Sequence, residues 1–450
     1  MNLERTPLLT DLYELTMLQT YYEHGMTEEA VFELFMRGSP KRGFFIAAGL
    51  DQGLEWLEQL RFKAHELEWM QQTGLFTQAF VDRMADFRFT GDVMALPEGT
   101  VFFAEEPLLQ IIAPLPEAQL IESRLMNILH YQTLIASKAA RCVIAAGDTP
   151  VIDFGMRRAH GGEAGTWAAR ACYLAGFSAT ATCLGSARYD IPPTGTMAHA
   201  FILAHDSEME AFERFARSHP DNVVLLIDTY DVERGARRVV EVARRLAGDG
   251  ISVHGVRIDS GDLAANARLT RAILDEGGLT DTRIIVSGGL DEHRIETLLA
   301  SGAPIDGVGV GSNVDTSADV PFLDSAYKLH YFRDKPRGKH SRGKTDLPGR
   351  KQVFRRLSDD GELQGDTIGL FDEKVSGSPL LEPVMQQGQR LGGADLTSLE
   401  AARSRCQNGL ANLPAGLRDL QSPAAFKPEL SQGLEALRER LAREAERGEV

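Results

Sequence analysis

The feature that most restricts this chain is a rhythm. Between about residue 150 and residue 311, short apolar runs recur, and each closes in a small, polar or charged cluster, with helical patterns in most intervals. The runs are PVIDFG ending near Phe154, GFSAT near Thr180, GTMAH near His199, VVLLIDTYD near Asp228, VHGVRIDSGD near Asp259, RIIVSGG near Ser287 and GVGVGS near Gly311. Successive ends fall roughly 19 to 31 residues apart, the length that a strand, a helix and two turns need. After Asp231, for instance, Val232, Ala236, Val239, Val240, Ala243 and Leu246 recur mostly at three- and four-residue steps, and a Gly248–Gly250 turn stops the helix. A barrel-like parallel sheet would carry all seven polar clusters to one mouth. An open doubly wound sheet is the alternative, but no GxGxxG follows a first strand.

The flanks read differently. Residues 1–125 mix helical stretches (Gly49–Leu60) with strand-like pieces (Thr100–Phe103, Pro107–Ile112), which predicts a separate α/β domain ahead of a barrel-like catalytic domain over 126–330. Residues 331–450 hold a basic segment and then helical patterns at Leu399–Cys406 and Leu430–Leu441, the last with Leu430, Leu434, Leu437 and Leu441 on one face to pack on the body.

Charge and cysteine usage exclude several classes. A net charge of −16 disfavours nucleic acid or an anionic membrane as partner. Yet Arg333–Arg356 gathers ten Lys or Arg against Asp334 and Asp346, which fits either a solvated loop or a pocket for a small polyanion. Cys142, Cys172, Cys183 and Cys406 are too scattered for a zinc knuckle or a disulfide scaffold. No leader-like start and no run of about 18 apolar residues is present, so a cytoplasmic protein is expected. GxSxG, HExxH and GxxxxGK[ST] are all missing.

The strand-end clusters carry the chemistry. VRIDSGD supplies Arg257, Asp259, Ser260, Gly261 and Asp262, a set suited to a sugar phosphate with Mg²⁺ and equally able to cap the next helix. VSGGLDE and GVGVGSN place Ser287, Gly288, Gly289, Gly311 and Ser312 where backbone can approach a phosphate. In DFGMRRAHGG, Phe154 beside Arg157 and Arg158 suits a flat anionic ring, or else a core aromatic with surface arginines. His199 is a lone histidine in this company.

TDLYELTM, DFGMRRAHG, GTMAHAF, RIDSGD, SGGLDE, GVGVGS and GKTDLPGRKQVFR stand in the order seen in nicotinate phosphoribosyltransferases, and the resemblance runs from about Pro7 to the end of the chain. It implies an α/β protein of the type II phosphoribosyltransferase fold: an irregular, incomplete βα barrel plus an α/β domain completed by the C-terminal segment. It also implies a homodimer with shared active sites, in which Tyr13 of one subunit stacks on the pyridine bound by the other, opposite Phe154, with Arg157 and Thr180 contributing to the substrate site. Arg257 and Asp259 are then catalytic residues near pyridine and ribose. Ser260, Gly261, Ser287, Gly288, Gly289, Gly311, Ser312, Lys344 and Lys351 are the candidate phosphate ligands.

The resemblance further matches His199 to a histidine that ATP phosphorylates transiently. The implied reaction takes nicotinate, phosphoribosyl pyrophosphate and ATP to nicotinate mononucleotide, pyrophosphate, ADP and phosphate, the entry to NAD salvage from nicotinate. Mg²⁺ comes with the substrates, helped by Asp228 and Asp262, with no tight metal site of the protein's own. Nicotinamide-using sister enzymes place an aspartate where this chain has Ala181, which favours the acid. The alternatives are a phosphoribosyltransferase for nicotinamide or another pyridine and a non-catalytic sugar-phosphate-binding barrel. A barrel aldolase lacks its lysine at the strand ends.

Overall fold

The computed structural model describes residues 6–341, 344–393 and 398–447. The chain divides into two compact units, Met1–Ser137 with Phe322–Val450, and Lys138–Pro321. The sequence pattern suggested divisions at 125 and 330. The helix Glu122–Ala146 runs unbroken past the first of these, so no turn residue marks the change.

The first unit is built on a seven-stranded sheet whose central members, Glu29–Met36 and Pro107–Pro114, are antiparallel and buried along nearly their whole length. Burial on both faces explains their near-continuous apolar runs. A second sheet joins Lys351–Leu357 and Leu363–Leu370 to two short strands. Against it packs the helix Gln432–Glu446, whose Leu434 meets Val353 and Ile368 in a small core. The expected helix at Leu430–Leu441 therefore begins two residues later, at the Ser431 cap.

The second unit holds a six-stranded parallel sheet in the order Ala179–Thr180, Val151–Asp153, Gly307–Val310, Arg283–Val286, Gly255–Ile258, Val224–Leu226. The last of these strands in chain order, Gly307–Val310, pairs with the first, Val151–Asp153, so the sheet returns to its starting strand as a barrel does. Among the described residues, no ladder joins Ala179–Thr180 to Val224–Leu226. The missing stave is the GTMAH segment, expected as a strand. In its place one bridge links Thr180 to Pro193, and the chain then leaves the sheet until the short helix His199–Leu203. Pro192 and Pro193 offer no N–H to a ladder, which ends the pairing at once.

Aspartates start the helices that follow the strands. Asp231, Asp262 and Asp291 each accept a backbone N–H three residues on, at 2.8, 3.0 and 2.9 Å, contributing about 1 kcal/mol apiece. Val239, Ala243 and Leu246 of Val232–Leu246 are buried, as their spacing requires. Among the described residues, no helix is long and apolar enough to cross a membrane.

Candidate active site

A cavity of about 560 Å³ opens at the C-terminal ends of the parallel strands. Phe154 and Arg157 line it after the strand Val151–Asp153, Arg257 and Asp259 from the end of Gly255–Ile258, Ser287, Gly288 and Gly289 after Arg283–Val286, and Gly311 and Ser312 after Gly307–Val310. Ala181 and the Gly195–His199 segment line the open side of the ring.

Phe154 reaches the cavity because its strand neighbour is Gly309, where a Cβ would stand only 2.4 Å from the ring. Any side chain at 309 would expel the aromatic. Arg157 follows in a single 3₁₀ turn, Met156–Arg158, and is exposed.

Arg257 holds the unpaired segment in place. Its Nη1 donates to Thr196 Oγ1 at 2.8 Å and its Nη2 to the Met197 carbonyl at 3.0 Å, while the guanidinium lies 5.9 Å from the Phe154 ring centre. Burial lowers its pKa, opposed by the charges of Asp259 and Asp228. A guanidinium stays charged under that pressure, so the cavity keeps a fixed cation beside its aromatic plate.

At the end of the Thr196–Met197 anchor, His199 Nδ1 lies 3.1 Å from Thr229 Oγ1, and its Nε2 lies 4.0 Å from Asp259 Oδ2. With Nδ1–H donating to Thr229, the Nε2 lone pair is left free to act as a nucleophile. The imidazole is 41% exposed.

Asp259 is fixed from both sides. Its Oδ1 accepts from Ser287 Oγ, and its backbone N–H donates to Asp228 Oδ2 at 2.9 Å. The same Asp228 oxygen accepts from Ser260 Oγ at 2.6 Å. Gly288, with φ +100° and a hypothetical Cβ 2.1 Å from the Asp259 carbonyl, lets the neighbouring turn pass close behind this acid. The two glycine turns are stitched together by Asn313, whose Nδ2 donates to the carbonyls of Gly289 and Leu290 at 3.2 and 3.0 Å, and Arg294 holds the Gly289 carbonyl at 2.8 Å.

Several expected ligands stand elsewhere. Ser287 is buried and its hydroxyl is taken by Asp259, so it orients the acid rather than meeting phosphate. Ser260 is engaged with Asp228, Gly261 makes a left-handed turn at φ +76°, and Asp262 caps the helix Leu263–Glu276; none of the three lines the cavity. Thr180 is buried with its hydroxyl on Asp153, and Ala181 beside it faces the cavity instead. Lys351 lies in the first unit, buried, with its ammonium 2.6 Å from Glu33 and held by the carbonyls of Leu347 and Gly349. A cation so committed has no free donor for a phosphate. The Lys344 side chain lies outside the described residues. Tyr13, also in the first unit, is 46% exposed, with its hydroxyl 3.3 Å from Glu122.

Sequence reading missed Thr196, Thr229, Asn313, Arg294 and the Asp153 carboxylate. Thr229 adjoined a flagged aspartate, and Asp153, Thr196 and Asn313 sat in flagged motifs; Arg294 gave no signal because it acts through a backbone carbonyl, that of Gly289.

An open parallel barrel that gathers an arginine, an oriented acid, a histidine and paired glycine turns at one mouth defines an enzyme of the phosphoribosyl-transfer class. The nicotinate phosphoribosyltransferase N-terminal domain model matches residues 8–130, and the nicotinate phosphoribosyltransferase family model matches residues 150–314. A nicotinate phosphoribosyltransferase of Mycobacterium tuberculosis, pncB2, is 47% identical over 422 residues, 94% of this chain and 90% of the relative. The nicotinate phosphoribosyltransferase of Bacillus subtilis is 41% identical over 82% of this chain and 77% of its own. The crystal structure of human nicotinic acid phosphoribosyltransferase superposes with a TM-score of 0.87 at 29% identity, covering 96% of this chain and 99% of that one. The chain belongs to the nicotinate phosphoribosyltransferase family.

Proposed function

We propose that this enzyme joins nicotinate to phosphoribosyl pyrophosphate, giving nicotinate mononucleotide and pyrophosphate, and that ATP drives the reaction through phosphorylation of His199. The observation that carries the transferase reading is the pairing of Phe154 with the fixed guanidinium of Arg257 at the cavity wall, beside the glycine turns. The pyridine lies on Phe154, with Arg157 drawing its carboxylate. Gly288, Gly289, Gly311 and Ser312 frame the 5′-phosphate, and Asp259 holds ribose hydroxyls.

The ring nitrogen attacks the anomeric carbon as the bond to pyrophosphate breaks. The pyridine nitrogen is already a nucleophile, so the protein's work is to align it and to offset the leaving group's charge. Mg²⁺ enters as the counter-ion of the diphosphate. Asp228 suits an approach by its hydrated shell, because its Oδ1 is buried without a hydrogen-bond partner in the protein. In the coupled step, His199 Nε2 attacks the terminal phosphorus of ATP and the bond to ADP breaks; water later takes the phosphoryl group.

Preference for the acid is supported by Ala181, which lines the cavity and brings no carboxylate that would repel nicotinate. The deciding assay offers equal nicotinate and nicotinamide with phosphoribosyl pyrophosphate and Mg²⁺, with and without ATP. Nicotinate mononucleotide, increased by ATP, is expected; predominance of the amide product would overturn the substrate assignment.

The reading includes a cytoplasmic homodimer in which Tyr13 completes the partner's pyridine site. Leu9, Leu12 and Tyr13 are exposed together at the start of the first helix, an apolar patch that supports a covered surface. Tyr13→Ala is expected to raise the KM for nicotinate about tenfold with kcat little changed, since a stacked ring contributes on the order of 1 kcal/mol. An unchanged KM would argue against stacking by this residue.

A further inference from the structure

Asp153 and Asp315 are both fully buried, and their carboxyl groups lie against one another. Neither has a part in the reaction as derived above. Asp153 ends the Val151–Asp153 strand, in register with Val310 on one side and Thr180 on the other, so it stands where three strand ends meet. Its Oδ1 accepts from Gly155 N at 2.8 Å and its Oδ2 from Thr180 Oγ1 at 2.6 Å. Thr180 Oγ1 in turn accepts from Thr182 N at 3.0 Å. Asp315 ends the short helix Ser312–Asp315, which Gly311 precedes. Its carboxyl presses so closely on Gly155 that a Cβ there would lie 2.2 Å from its Cγ.

Two carboxylates in contact and shut off from water cannot both be ionised at modest cost, so a hydrogen bond between them requires one proton. We infer that protonated Asp315 is a positioning residue for the pyridine side of the cavity: by donating to the Asp153 carboxylate it locks together the turns that carry Phe154 and Arg157, Ala181, and Gly311 and Ser312. One shared proton thus sets the relative placement of three edges of a site that chemistry at the mouth needs aligned to a fraction of an ångström. The inference rests on the reading of this cavity as the pyridine site.

Among the described residues, the titratable groups that act on one another here are the two carboxyls and the Cys172 thiol on the helix Gly162–Ala175, which burial keeps neutral. Burial raises Asp153, and burial together with the Asp153 charge raises Asp315 well above the ordinary carboxylate range. The sign follows from the raised values: the lock is complete at low pH and is lost as pH rises through the folded-state value of Asp315.

The test is the pH dependence of KM and kcat for nicotinate in the full chain, for wild type, Asp315→Asn and Asp315→Ala. Wild type is expected to show KM rising toward alkaline pH while kcat changes less. Asp315→Asn, whose amide donates without a titrating proton, is expected to stay within about threefold of wild type near neutrality and to lose the alkaline rise. Asp315→Ala leaves Asp153 without its partner and is expected to raise KM about tenfold at every pH. An alkaline rise undiminished in Asp315→Asn, or Asp315→Asn as impaired as Asp315→Ala, would overturn the inference. Should the alanine variant fail to fold, the asparagine profile alone decides. Failure of the substrate reading is separate: wild type itself would then make no nicotinate mononucleotide.

Discussion

Alanine at position 199 is expected to leave some mononucleotide formation running and to erase its stimulation by ATP. The imidazole is the one histidine among the residues that line the cavity, and its Nε2 is directed toward Asp259, away from the Thr229 hydroxyl that engages Nδ1. The pyridine needs no base, so transfer without coupling does not require this ring. Fold loss is not expected either, because the side chain is 41% exposed. The measurement is initial velocity with and without ATP, beside incorporation of labelled phosphate from ATP into the protein. Stimulation that persists in His199→Ala would remove the histidine from the coupling step.

Arg257→Ala is expected to lower kcat/KM by about 100- to 1000-fold, equivalent to roughly 3–4 kcal/mol of transition-state stabilisation. Three functions vanish together: the cation beside Phe154, and the two hydrogen bonds that tie Thr196 and Met197 to the sheet. Each such charge-assisted bond contributes on the order of 1.5–3 kcal/mol, and the freed segment carries His199 with it. ATP stimulation should therefore fall along with transfer, which separates this variant from His199→Ala. Lysine should not rescue, since a single ammonium cannot span two acceptors in the planar fork of a guanidinium. A variant with wild-type kcat/KM would show that the loop is held by other means.

What the sequence made legible was what depends on local pattern. Parallel strands buried on both faces read as short apolar runs, and their polar ends read as a mouth, so the fold and the grouping of Phe154, Arg157, His199, Arg257, Asp259, Gly288, Gly289 and Gly311 at one cavity could be named in advance. The errors have a common cause. Whether Ser287 or Thr180 faces a ligand or a neighbouring aspartate depends on which acid stands across the sheet, and that acid lies 28 or 27 residues away. Lys351 looked free in a basic run, yet its partner Glu33 comes from the far end of the chain. GTMAH looked like another strand because its neighbours were strands, while the two prolines before it were the stronger signal. Asp315 offered no hint, since its partner is visible only once two strands have been paired.

The gap between Thr180 and Val224 gives the histidine a freedom that its neighbours lack. A residue inside a ladder can shift only by breaking several backbone hydrogen bonds at once, whereas the Gly195–His199 stretch is tied to the sheet by side chains, those of Arg257 and of Thr229 among them. A phosphoryl group on His199 would add bulk and nearly two negative charges. In a complete cylinder that load would strain the staves on either side. Here that load would fall on the one side of the ring where no ladder has to be broken.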